Sequence, residues 1–154
     1  GTSHKLTENG YANRVAECQA ACKALDVEML SDLGLADMGR ILELEEPLNR
    51  RARHIVTEND RVGRGVAALS KGDVGSFAQM MTESHHSQSD DYAVSLPEID
   101  ALVQGALDAG AIGARLTGGG FGGSIVALAS NDRLDELRSA LTTGFPKSRV
   151  LAAT

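Results

Sequence analysis

Apolar residues along this chain recur mostly at the three- and four-residue intervals of an α-helix. Tyr11, Val15, Cys18, Cys22 and Leu25 fall on one helical face. Residues 28–44 are mixed, broken by Gly34 and Gly39, and predict one short helix. A long helix opens near Pro47, a residue suited to a first helical turn. Its stripe is Leu48, Ala52, Ile55, Asn59, Val62, Val66 and Leu69, and Gly72 ends it. Asp73 is positioned to cap the next helix, whose apolar face is Val74, Phe77, Ala78 and Met81. Ser95-Leu96-Pro97-Glu98 reads as a capping box before a helix carrying Ile99, Leu102, Val103, Ala106 and Leu107, with Gly110 as its stop.

The period changes at Ile112. Residues 113–117 and 124–129 read as two strands joined by a glycine-rich turn. Asn131 or Asp132 caps a helix with Leu134, Leu137 and Leu141, which Gly144 and Pro146 break. Residues 149–153 read as a third strand and residues 2–6 as a fourth. The expected fold is a helix-rich α+β domain, with helices on one face of an antiparallel sheet.

The 154 residues suit one domain spanning 1–154. Composition narrows the function classes more than the fold. A net charge of −6 lacks the basic footprint of a nucleic-acid binder. No apolar run approaches the roughly 20 residues of a membrane helix, so a cytoplasmic location without membrane contact is expected. Cys18 and Cys22 alone do not make a disulfide framework, nor do they have the C-x-x-C spacing of a zinc site, so buried inert thiols are expected. There is no tryptophan, so the core is built from aliphatics. The first residue is not methionine, which fits a piece of a longer chain.

Three clusters invite chemistry. Gly118, Gly120 and Gly123 match G-x-G-x-x-G literally, but that fingerprint needs a helix after the last glycine, and a β-branched strand follows instead. A phosphate-binding P-loop also fails, because Ser124 stands where its lysine is required. Five glycines in six positions still exceed what a hairpin needs. Such a run lets backbone approach a ligand closely, with free N–H groups able to line an anion nest. Ser84-His85-His86-Ser87 with Asp90 and Asp91 suggests a metal site or a hydrolase on paper, but reads better as a polar helix end bonded to its neighbours. Five arginines (Arg50, Arg51, Arg53, Arg61, Arg64) on the long helix read as a solvated face with acidic partners. His54 and Thr57-Glu58-Asn59 read as polar packing groups.

Read in order, these segments resemble galactokinases: 51–59 (RARHIVTEN), 81–87 (MTESHHS), Asp90-Asp91-Tyr92, 97–100 (PEID) and 113–123 (GARLTGGGFGG), with Tyr11-Ala12-Asn13-Arg14 ahead of them. The resemblance covers the whole chain and matches only the C-terminal half of that family, within the sugar, homoserine, mevalonate and phosphomevalonate (GHMP) kinase superfamily. It implies a ferredoxin-like C-terminal domain. It also implies a parent enzyme transferring the γ-phosphoryl group of Mg-ATP to the anomeric hydroxyl of galactose. ATP, Mg²⁺ and the catalytic Asp and Arg are then expected in the absent N-terminal half, with no metal site and no catalytic residue in this chain. The chain by itself is expected to be inactive, and to self-associate if apolar surface is left uncovered.

Two sites carry over by resemblance. Tyr11 matches the family tyrosine that touches the sugar, although on helical spacing alone it reads as core. Gly118, Gly119, Gly120, Phe121, Gly122 and Gly123 match the glycine motif near the sugar and the transferred phosphate. Gln88 and Ser89 depart from the usual Leu-Arg, Leu96 and Ser124 replace common cysteines, and Leu116 replaces a common Met. Related kinases act on N-acetylgalactosamine or arabinose, and a catalytically silent sensor of galactose and ATP is the other alternative.

Overall fold

The computed structural model describes residues 2–151, with side chains from residue 10 onward. The helices are α1 (Thr2–Leu25), α2 (Met38–Leu42), α3 (Leu48–Ser70), α4 (Val74–Asp90), α5 (Pro97–Asp108) and α6 (Leu134–Gly144). Strands β1 (Gly113–Thr117) and β2 (Ser124–Leu128) lie between α5 and α6 and pair antiparallel, with Thr117 opposite Ser124 and Gly113 opposite Leu128. The helix-rich α+β class is as expected.

Several boundaries follow from local chemistry. The Asp73 carboxylate accepts the Ser76 amide at 3.0 Å and so caps α4. Gly72 (φ 70°) and Gly110 (φ 97°) take the left-handed conformation just beyond α3 and α5, which only glycine adopts cheaply. Residues 28–44 hold two 3₁₀ turns, Leu30–Asp32 and Leu35–Asp37, before the short α2. α5 departs from its expected start. Its N-cap is Leu96, with no side-chain cap, because the Ser95 hydroxyl is drawn to Asp100 Oδ1 at 2.5 Å. Likewise α6 is led in by the 3₁₀ turn Asn131–Arg133 rather than by an Asn or Asp cap.

Two expected strands are not formed among the described residues. Residues 2–6 belong to α1. The outer edge of β1 is taken by α4: Ala114 N–H donates to Thr82 Oγ1 at 3.4 Å and Leu116 N–H to His85 Nδ1 at 3.3 Å. Residues 149–151 are irregular, and 152–153 lie outside the described residues. Phe145 anchors the chain before them, its ring so close to Gly105 of α5 that a Cβ there would sit 2.5 Å away. Ser148 N–H then turns back onto the Phe145 carbonyl at 2.8 Å. The sheet therefore has two strands among the described residues, where four were expected.

The core has two regions. Ala21 and Leu25 of α1 pack with Leu30, Leu33, Ile41 and, from α3, Ala52 and Val56. Val103, Ala106 and Leu137 of α5 and α6 pack on the inner sheet face through Ala114, and Ile99 and Val94 close over Leu116. The α3 stripe is only half right. Ala52 is buried and Leu48 and Ile55 pack against the core, but Val62 and Val66 are about 60% exposed (60% and 61%), and Val56, outside the expected stripe, is buried. Past Glu58, α3 turns Gly65 toward the Phe77 ring of α4, 3.6 Å from where a Cβ would lie. That small-residue contact leaves the larger side chains outside.

Candidate functional site

The glycine loop, residues 118–123, is a hairpin connection in an unusual backbone state. Gly118 (φ 90°), Gly120 (81°), Phe121 (58°), Gly122 (120°) and Gly123 (102°) all have positive φ. For Phe121 this costs about 1–2 kcal/mol. Two contacts offset it. Its N–H donates to the Val94 carbonyl at 2.6 Å, and its ring lies against Gly10 of α1, where a Cβ would sit 2.5 Å from Cε1. Gly120 is equally constrained, since a Cβ there would be 2.5 Å from Val94 Cβ. The loop is thus seated on the 91–96 connection and against the first described turns of α1.

That second contact places Tyr11 beside the loop. Tyr11 is 62% exposed, so it is not the core residue its helical spacing suggests. It presents a ring and a hydroxyl to solvent one residue along from the Gly10–Phe121 contact. The structure brings the two sites singled out in the sequence into one neighbourhood. Gly10, which makes the approach possible, and Val94, which receives the loop, were not among them. Neither carries a sequence signal of its own.

A polar network beneath fixes this neighbourhood. Asp91, at the end of α4, accepts from Arg53 Nε at 3.0 Å, and its carbonyl accepts from Arg51. Arg51 Nε also donates to Glu17 of α1 at 2.7 Å. Tyr92 stacks on His54, with ring centroids 4.3 Å apart and planes at 19°. Its hydroxyl lies 3.7 Å from Cys18 Sγ, and the Arg14 guanidinium sits over its ring at 5.8 Å. Burial pushes the Tyr92 hydroxyl up to about 12, so it remains protonated. Burial also raises the Cys18 thiol, which matches an inert half-buried cysteine.

The His and Asp cluster of α4 has structural duties. His54 Nδ1 is 2.9 Å from Ser87 Oγ, and burial lowers its pKa to about 4. His85 Nδ1 accepts the Leu116 amide, so its proton is on Nε2, which faces Asp100 Oδ1 at 3.2 Å. Burial lowers the His85 pKa as well. His86 is exposed. Glu58 accepts from Ser84 Oγ at 2.5 Å and from Arg115 at 3.2 Å, tying α3 to α4 and β1. Four of the five α3 arginines, Arg51, Arg53, Arg61 and Arg64, find acidic partners, as expected, in Glu17, Asp91, Glu58 and Asp60, whereas the Arg50 Nε is buried without a hydrogen-bond partner among the described residues. Arg51 differs in being buried rather than solvated.

Among the described residues no group of three or more His, Cys, Asp or Glu side chains could hold a metal ion. The described geometry is an exposed tyrosine one residue along from the contact between α1 and the glycine loop.

Comparison with known proteins fits this geometry. The family model for the C-terminal part of GHMP kinases matches residues 66–147. The galactokinase of Streptomyces coelicolor is 41% identical over 145 residues, covering 92% of this chain and 38% of the relative. That of Mycobacterium tuberculosis is 42% identical over 149 residues, covering 91% and 40%. The crystal structure of Lactococcus lactis galactokinase complexed with galactose superposes with a TM-score of 0.83 at 34% identity, covering 90% of this chain and 37% of that one. The chain spans about two-fifths of the length of the curated relatives it matches.

Proposed function

We propose, because the chain belongs to the GHMP kinase C-terminal family, that it is the C-terminal part of a galactokinase, an ATP-dependent kinase acting at the anomeric hydroxyl of galactose. The observation that carries this reading is the placement of exposed Tyr11 beside the glycine loop through the Gly10–Phe121 contact. Support comes from relatives about 40% identical over nearly the whole chain, and from a neighbour solved with galactose.

In this reading Tyr11 packs its ring on the sugar and offers its hydroxyl to it, as an amphipathic aromatic can. The loop of residues 118–123 closes the floor beneath the sugar and the transferred phosphate, its backbone N–H groups facing developing negative charge. The residues of this chain orient and exclude water, while ATP, Mg²⁺ and the proton-accepting carboxylate belong to the rest of the enzyme. Phosphoryl transfer depends on positioning and charge, so the chain alone is inactive. The setting is cytoplasmic.

The test is Tyr11→Ala in a full-length kinase carrying this chain as its C-terminal two-fifths. The galactose KM rises about tenfold or more, while the KM for ATP stays within about twofold. An unchanged galactose KM removes Tyr11 from the sugar site.

A further inference from the structure

Tyr92 lies between the helix that carries Tyr11 and the connection that seats the glycine loop. On α1, Arg14 and Cys18 follow Tyr11 by three and seven positions, so the three share one helical face. Two of them hold Tyr92. The Arg14 guanidinium sits 5.8 Å from its ring centroid, and Cys18 Sγ lies 3.7 Å from its hydroxyl. Arg14 is itself buried and fixed by its bond to Glu17 at 2.5 Å. From α3, His54 stacks on the same ring. Burial does most to raise the Tyr92 hydroxyl, and Tyr11 adds to it, so the two tyrosines interact electrostatically.

The backbone around Tyr92 is equally constrained. Its N–H donates to the Ser87 carbonyl at 2.9 Å, and the Val94 N–H donates to the Gln88 carbonyl at 3.0 Å. Ala93, between them, is left-handed with φ 51°. A strained alanine persists only where its surroundings over-determine it, whereas a glycine enters and leaves that conformation freely. The Val94 carbonyl then accepts the Phe121 amide at 2.6 Å. One strained residue therefore sends Tyr92 to α1 and Val94 to the loop.

We infer that Tyr92, aimed by Ala93, is a positioning residue for the sugar: its ring sets the α1 face that carries Tyr11 at a fixed distance from the glycine loop, a role that rests on the reading of Tyr11 as the galactose contact. The ring rather than the hydroxyl does the holding, because the hydroxyl meets only a thiol, a weak hydrogen-bonding group. Fixing the distance matters because a displacement of about 1 Å in a substrate-positioning group is enough to weaken a reaction severely.

The test is steady-state kinetics on a full-length kinase carrying this chain, with Tyr92→Leu, Tyr92→Phe, Tyr11→Ala and the double variant Tyr11→Ala/Tyr92→Leu. Tyr92→Leu is expected to raise the galactose KM about fivefold or more, with kcat and the ATP KM within about twofold. Tyr92→Phe keeps the ring and is expected to bring the galactose KM back to within about twofold of wild type. With Tyr11 already removed, Tyr92→Leu is expected to add less than about twofold, because it acts through Tyr11. Ala93→Gly, which frees the turn and leaves every side-chain contact in place, is expected to raise the galactose KM about threefold with the melting temperature within about two degrees of wild type; it decides the matter if Tyr92→Leu does not fold.

A galactose KM unmoved by Tyr92→Leu, or by Ala93→Gly where the leucine substitution prevents folding, overturns the proposal. So does a full additional loss in the double variant, a matching rise in the ATP KM, or a phenylalanine substitution that rescues nothing. Tyr11→Ala separates the two readings. If it leaves the galactose KM unchanged, the sugar contact itself fails and the positioning role falls with it. If it raises the galactose KM while Tyr92→Leu does not, the sugar contact stands and only the role of Tyr92 is lost.

Discussion

His85 Nδ1 takes the amide of Leu116 at 3.3 Å, so a side chain of α4 stands in for a neighbouring strand at the edge of β1. The same ring turns Nε2 toward Asp100, which also holds Ser95 and Ser89 at the entry to α5. One buried imidazole therefore joins α4, β1 and α5. Its adjacency to Asp90 and Asp91 in the sequence suggests chemistry, but its two partners are architectural.

His85→Ala leaves the Leu116 amide buried without an acceptor and opens a cavity. The expected loss is about 2–4 kcal/mol by denaturant unfolding. His85→Asn, which restores an acceptor, recovers part of it. A loss below about 0.5 kcal/mol contradicts the bridging role.

Acid should weaken the fold before carboxylates titrate. The folded-state pKa of His54 is about 4 against an ordinary value of 6.5, and that of His85 is shifted the same way. As pH falls through 6.5 the unfolded chain takes up protons that the folded chain refuses, so stability drops until the folded pKa is reached. Above 6.5 these histidines contribute no slope. For His54 the loss between pH 6.5 and 5 is about 2 kcal/mol. Unfolding curves for wild type and His54→Asn check this, with the variant showing the shallower pH dependence.

Within the glycine loop, neighbouring glycines should respond differently. Gly120→Ala forces a Cβ onto Val94 at a positive φ and is expected to cost about 2–4 kcal/mol. Gly119 has an ordinary φ and nothing within 4 Å of a Cβ. Gly119→Ala therefore stays within about 0.5 kcal/mol of wild type. Equal melting temperatures for the two variants would show that the loop is not seated on Val94.

Most of the helical frame was legible in the sequence because α3, α4 and α5 carry their own start and stop chemistry at Pro47, Gly72, Asp73, Pro97 and Gly110. The glycine loop was legible for a similar reason: five glycines in six positions exceed any turn requirement. Partner choice was not. Periodicity marks which positions are apolar but not what covers them, so Val62 and Val66 appear as core although the described residues leave them uncovered. The expected strand at 2–6 (Thr-Ser-His-Lys-Leu) carries no extended pattern of its own and instead continues α1, and residues 149–151 are irregular. The packing roles of His54, Ser84 and His85 were legible as polar groups bonded to neighbours, whereas the burial of Arg51 was not, because an arginine among four others on one helix reads as solvated. Tyr11 was identified through family resemblance, and its exposure decided between the core and surface readings.

The most direct measurement is ADP release with Mg-ATP against galactose, N-acetylgalactosamine and arabinose, run on a full-length kinase carrying this chain and on the chain alone. The account predicts galactose-selective turnover by the full-length protein and none by the chain. Turnover by the chain alone would contradict the placement of the chemistry outside it, and a full-length protein that binds galactose without turnover would contradict the kinase assignment itself.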